Sequence, residues 1–209
     1  MAEIVVIGGG GHAKVLISLL KKLSWEILGY TDAHDRGLIL GLPHLGSDSV
    51  LPGVLRTHQD CKALIGLGKI DASAARAGLA REIRALGFDA PVIVSPRAVV
   101  NEDVELGAGT VVFDGAVINS GAAAGGGCII NTNTTVEHDC HLGDNVHIAP
   151  GATVCGSVVI GNDCMIGAGS TIAQGATVCA GSLIGAGAIV VADIDIPGMY
   201  VGNPARRLG

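Results

Sequence analysis

The stretch TVEHDCHLGDNVHIAPGATV, residues 135–154, decides the fold. Within it Val136, Leu142, Ile148 and Val154 recur every six residues, and Cys140, Val146 and Ala152 follow at an offset of four. The same step continues outward in both directions. Upstream it meets Val94, Val100, Leu106, Val112, Ile118, Ala124 and Ile130, and downstream Ile160, Ile166, Ile172, Val178, Ile184, Val190 and Ile196. Ala124 alone departs from Val, Leu or Ile. The offset-four positions are small or modest in nearly every case, among them Ala98, Thr110, Ala116, Cys128, Thr134, Cys164, Ser170 and Ala188. Such a period, held in one phase, is the hexapeptide signature of a parallel β-helix.

Each hexapeptide is one short strand and a turn, with the aliphatic residue inward and the small one filling the corner beside it. Three of them close a triangular coil, and coils stack at about 4.8 Å with hydrogen bonds along the axis. Composition agrees: the chain has 33 glycines and only 2% aromatics, so its apolar mass is Ala, Val, Ile and Leu, which suits closely stacked backbone. Cys128, Cys140 and Cys164 fall in phase as corner fillers, while Cys155 and Cys179 fall at outward offsets.

Upstream of residue 90 the pattern changes. EIVVIGG (3–9), WEILGYTD (25–32) and CKALIGLG (61–68) read as strands; HAKVLISLLKKL (12–23) and DASAARAGLAREIRALG (71–87) read as helices. Alternating strands and helices imply a small parallel sheet. The expected domains are therefore 1–90, an α/β half-Rossmann-like domain, and 91–209, the β-helix with a short tail. After the first strand, Gly8 to Gly11 and His12 enter a helix, and Asp32 ends the second strand. Glycines there let backbone amides approach a phosphate, and the carboxylate can take a ribose hydroxyl or a base edge. Only half a dinucleotide fold precedes the repeats, leaving room for one nucleotide rather than NAD.

A net charge of −6 and the scarcity of aromatic platforms argue against nucleic acid as the partner. No apolar run approaches the roughly twenty residues of a membrane span and no basic leader precedes MAEIVV, so a cytoplasmic protein is expected.

GGGGHAKV, the TD of the second strand, IGLGK, NTNTTVEHDCHLGDNVHIAPGA and GMYVGNPARRL together resemble the bacterial nucleotide-sugar acetyltransferases of the hexapeptide class. That class includes UDP-4-amino-sugar N-acetyltransferases, GDP-perosamine N-acetyltransferases and sialic acid O-acetyltransferases. The resemblance covers essentially the whole chain and implies a left-handed helix, a homotrimer, acetyl-CoA as cosubstrate, and a nucleotide-activated amino sugar as acceptor, with O-acetylation of sialic acid as the alternative. It makes His138 the general base, Asp139 the carboxylate behind it, and His147, Ala168 and Ala186 contacts for acetyl-CoA. Gly10, Gly11, His12, Asp32 and Gly68 are expected to line the nucleotide-sugar pocket.

Spacing adds two expectations of its own. Gly156 lies eighteen residues beyond His138, one coil higher on the same edge, where its amide could steady a tetrahedral oxyanion. His147 lies nine residues from His138, half a coil away, so a site using both must be shared between subunits.

Other readings are weighed alongside. Zinc is not expected: the trimeric β-helix carbonic anhydrases place two histidine ligands close in sequence and the third about two coils away, a pattern His138, His141 and His147 lack. Cys155 as a covalent nucleophile has no base assigned to it. A purely structural solenoid leaves the N-terminal domain without purpose. Arg206 and Arg207 either reach CoA phosphates or are exposed charges on the tail.

Overall fold

The structure, a computed structural model, describes residues 2–208. The chain forms two compact units: one runs to Gly68 and resumes over Ala75–Pro91, and the other takes Lys69–Ala74 and everything from Val92 onward.

In the first unit the elements are β1 (Glu3–Ile7), α1 (Gly11–Lys22), β2 (Glu26–Thr31), β3 (His44–Gly46), a 3-10 turn (Asp48–Val50), α2 (Leu51–Thr57), β4 (Lys62–Ile65) and α3 (Ala75–Ala85). Its four strands are all parallel in the order β3-β2-β1-β4. Central β1 is a continuous apolar run because both faces are covered: Ile4, Val5, Val6 and Ile7 are all buried. β3 and α2 lie in a stretch that gives no periodic signal. β3 is three residues ending on a left-handed Gly46, and α2 carries a proline in its first turn and Gly53 inside.

The helix expected over 71–87 begins only at Ala75. Asp71 and Ser73 make a turn instead, the Asp71 carboxylate accepting the Ser73 N–H at 2.9 Å, and Lys69 Nζ donates to the Ser73 carbonyl at 2.8 Å. Asp and Ser compete with helix for backbone hydrogen bonds in this way.

The second unit is a left-handed parallel β-helix. From Ile93–Val94 to Ile189–Val190 a two-residue strand recurs every six residues, and strands eighteen apart pair in register. The first face stacks Ile93–Val94, Val111–Val112, Ile129–Ile130, His147–Ile148, Met165–Ile166 and Leu183–Ile184. The second stacks Val99–Val100 up to Ile189–Val190 through Thr135–Val136 and Thr153–Val154, and the third Glu105–Leu106 up to Thr177–Val178.

The inward column from Val112 to Val190 is buried as the period requires. Each in-phase cysteine is fully buried and its thiol donates to a carbonyl fifteen residues on: Cys128 to Gly143, Cys140 to Cys155, Cys164 to Cys179. Burial pushes the Cys164 thiol up to about 11. Where Ala124 interrupts the column, Leu106, Ile118, Ala122, Ile130, Val136 and Leu142 surround it without leaving space for a water molecule. The tail does not trail free: Met199–Val201 extends the first face and Arg206–Arg207 folds back antiparallel to it. No helix among the described residues is long and apolar enough to cross a membrane.

Candidate active site

Every turn of the helix between 103 and 187 holds the third residue after its inward side chain at positive φ. Only Gly, Asn, Asp and one Ser occupy that seat, the residues for which left-handed backbone is cheapest. Asp139 is one of them, with φ of 58°. The backbone thus selects a short carboxylate at this point, and the short reach suffices: Asp139 Oδ2 accepts a hydrogen bond from His138 Nδ1 at 2.8 Å. Both side chains are open to solvent, 55% and 65% exposed.

With Nδ1–H directed at a carboxylate, the lone pair of His138 is on Nε2. That atom faces Gly156. A Cβ built on Gly156 would stand 2.5 Å from Nε2 and 2.7 Å from Cε1, so the glycine is what makes room for the ring. The coil above is fixed to the one below at this point, because Ser157 N–H donates to the His138 carbonyl at 2.8 Å. Among the described residues the Gly156 N–H donates to no group of the chain.

His141 is exposed and turns away, its Nδ1 donating to the Asp139 carbonyl at 3.1 Å. No three His, Cys, Asp or Glu side chains among the described residues are grouped to hold a metal ion. His147 belongs to the first face, whereas His138 sits on the corner after the second. One chain does not gather the two. His147 is buried, with its Nδ1 donating to the Lys69 carbonyl at 2.7 Å and its Nε2 3.0 Å from Asn131 Nδ2. Asn131 escaped the sequence reading, since its column neighbours Ala149 and Gly167 share no chemistry with it.

Ala168 and Ala186 are exposed and stacked on the corner that follows the first face, tied by the Gly187 N–H to the Ala168 carbonyl at 2.8 Å. They offer backbone and little else. Beyond them, Arg207 donates to the Pro197 carbonyl at 3.1 Å and packs on Gly198, and Arg206 reaches only the neighbouring Ala205 carbonyl.

In the first unit, the ends of β1, β2 and β4 bring the remaining residues to one rim. Gly10 caps α1 in extended conformation, and a Cβ at Gly10 or Gly11 would meet nothing within 4 Å, so these glycines leave the helix N-terminus bare. Gly68 packs beside His12: a Cβ built on Gly68 would stand 3.4 Å from the Cβ of His12. Asp32 is used within the chain: Oδ2 accepts the Gly9 N–H at 2.9 Å and Oδ1 the His34 N–H at 2.9 Å, with Arg36 3.7 Å away. The His34 and Gly9 amides hold its carboxyl below the usual range. Gly9 itself is pressed against Tyr30, whose ring a Cβ would approach to 2.6 Å.

Comparison with known proteins agrees with both units. Residues 3–79 match the PglD N-terminal domain, and residues 125–156 and 157–192 match the bacterial transferase hexapeptide model. The acetyltransferase domain of PglB from Neisseria gonorrhoeae, solved in complex with acetyl coenzyme A, is 36% identical over 99% of this chain and 98% of its own, with a TM-score of 0.91. PerB from Caulobacter crescentus, solved with CoA and GDP-perosamine, is 35% identical over 100% of this chain and 98% of its own, with a TM-score of 0.92. The GDP-perosamine N-acetyltransferase of Escherichia coli O157:H7 is 33% identical over 74 residues, 35% of this chain and 34% of that protein's length. With both units matched along their length, the chain belongs to the hexapeptide-repeat nucleotide-sugar acetyltransferases, a family of acetyl-CoA-dependent enzymes.

Proposed function

We propose that the protein transfers the acetyl group of acetyl-CoA to the amino group of a nucleotide-linked 4-amino-4,6-dideoxy sugar, in the cytoplasm and without a covalent enzyme intermediate. The observation that carries this reading is the corner at His138: an imidazole backed by Asp139 at 2.8 Å, with its free Nε2 held over a glycine.

The chemistry follows from that corner. A sugar amine attacks the thioester carbon and gives up a proton to His138 Nε2, a step worth about 10²–10⁴-fold for a well-placed base. Asp139 holds the ring and favours the imidazolium that forms. The thioester oxygen becomes an oxyanion, for which the uncommitted Gly156 N–H is the donor. When the intermediate collapses the C–S bond breaks, the thiolate takes the proton from His138, and amide and CoA leave.

The 1–90 domain holds the nucleotide through Gly10, Gly11, His12 and Gly68, with Asp32 shaping the loop that presents the glycines. Ala168 and Ala186 meet acetyl-CoA through backbone. Because their corner follows the first face and His138 follows the second, the working unit is a homotrimer whose site is completed by a neighbouring copy.

Thiol release from acetyl-CoA, with UDP-4-amino-4,6-dideoxy sugars and GDP-perosamine offered separately, tests the reading. One of them is expected to turn over, and His138→Ala to lower kcat by orders of magnitude with little change in acetyl-CoA binding. Turnover by the variant at the wild-type rate would remove His138 as base.

A further inference from the structure

On the first face runs a chain of hydrogen bonds whose direction is set at every link. The side-chain oxygen of Asn131 accepts the Thr132 backbone N–H at 2.8 Å, so its amide nitrogen is the atom turned to His147 Nε2 at 3.0 Å. On the other side, His147 Nδ1 lies 2.7 Å from the Lys69 carbonyl oxygen, which can only accept. Nδ1 therefore carries the hydrogen, and Nε2 accepts from Asn131. Both ring nitrogens are committed, and the residue is 6% exposed. A proton placed on Nε2 would point at an N–H.

We propose that His147 is a positioning residue: held as the Nδ1–H tautomer by Asn131, it anchors the segment Lys69–Ala74 to the β-helix and moves no proton in acetyl transfer. This rests on the acetyltransferase reading and gives a new role to a residue that the family pattern assigns to acetyl-CoA.

The segment needs an anchor. It contains no strand or helix, its Ile70 is 86% exposed, and yet Lys69 is only 4% exposed, which an unattached loop does not achieve. Gly68, which precedes Lys69, is among the residues expected at the nucleotide-sugar pocket. Releasing the segment therefore loosens that end of β4 and weakens binding of the nucleotide sugar more than it slows chemistry.

Two measurements on the full chain decide it. Long-range proton–nitrogen spectra of nitrogen-15-labelled protein at neutral pH are expected to show His147 neutral with its hydrogen on Nδ1. His147→Asn keeps an N–H where Nδ1 stood, whereas His147→Gln places its amide near Nε2. The Lys69–Ile70 bond should then stay resistant to trypsin in His147→Asn and become cleavable in His147→Gln. His147→Gln should also have a KM for the nucleotide sugar about tenfold above that of His147→Asn, the equivalent of one lost hydrogen bond. An imidazolium, an Nε2–H tautomer, or equal cleavage of the two variants would overturn the proposal. Spectra and proteolysis need no substrate, so they still test the anchor if no amino sugar turns over, and loss of the anchor leaves His138 catalysis standing.

Discussion

In the proposed reaction, Gly156 is the residue on which the geometry turns. Its backbone is not left-handed, so alanine is permitted there by conformation and excluded only by the ring of His138. Gly156→Ala should fold normally and lower kcat by about 10²-fold, the cost of displacing a catalytic group by about an ångström. Steady-state kinetics alongside a circular dichroism melt checks this; a well-folded variant with unchanged kcat would mean that Nε2 does not work at that position. The glycine was legible in the sequence because a coil of eighteen residues converts sequence distance into vertical adjacency. The Asn131 role was not legible, because its partner His147 stacks over Ile129 in the next coil of the same face, at a spacing of sixteen that the period does not single out.

Among the elements, the coils announced themselves because each repeats the same local demand: one aliphatic residue inward, one small residue at the corner, one left-handed seat. The exception is informative. At Ala124 the column loses its branched side chain, yet its six aliphatic and small neighbours leave no space for even a water molecule. Ala124→Val restores the pattern in sequence but adds two methyl groups where no cavity waits for them, and thermal unfolding should show a loss of about 1–3 kcal/mol, typical of overpacking. A rise in Tm would mean that the neighbouring coils open to accept the larger side chain. By contrast β3 and α2 were missed, since short elements broken by Gly and Pro carry no periodicity to read.

At the scale of the whole molecule, two cores of different grammar share one chain, and each responds to its own chemistry. The α/β unit depends on Asp32, whose ionised carboxylate clasps the Gly9 and His34 amides. Its pKa is depressed below the ordinary 3.8, so the clasp contributes fully above that value and is lost as pH falls through the folded-state value. Asp32→Asn should cost about 1–2 kcal/mol at neutral pH and flatten the loss of stability below about pH 4, measured as Tm against pH. A variant with the same steep acid limb would place the acid sensitivity elsewhere. The change of grammar near residue 90 is legible as a switch from alternating strands and helices to a period of six. The grouping of Lys69–Ala74 with the β-helix unit did not show, since the hydrogen bond of the Lys69 carbonyl reaches a residue 78 positions away.

A coil that closes after three hexapeptides also makes the molecule a staircase with a fixed bearing. Eighteen residues inserted between Gly156 and Gly161 would lift Ala168 and Ala186 by one step of about 4.8 Å and leave them facing the same way. Six residues would swing them a third of a turn, onto the wrong landing. In this architecture the distance between the proposed donor contacts and the proposed base can be lengthened in whole storeys, while their compass direction is conserved only in multiples of three repeats.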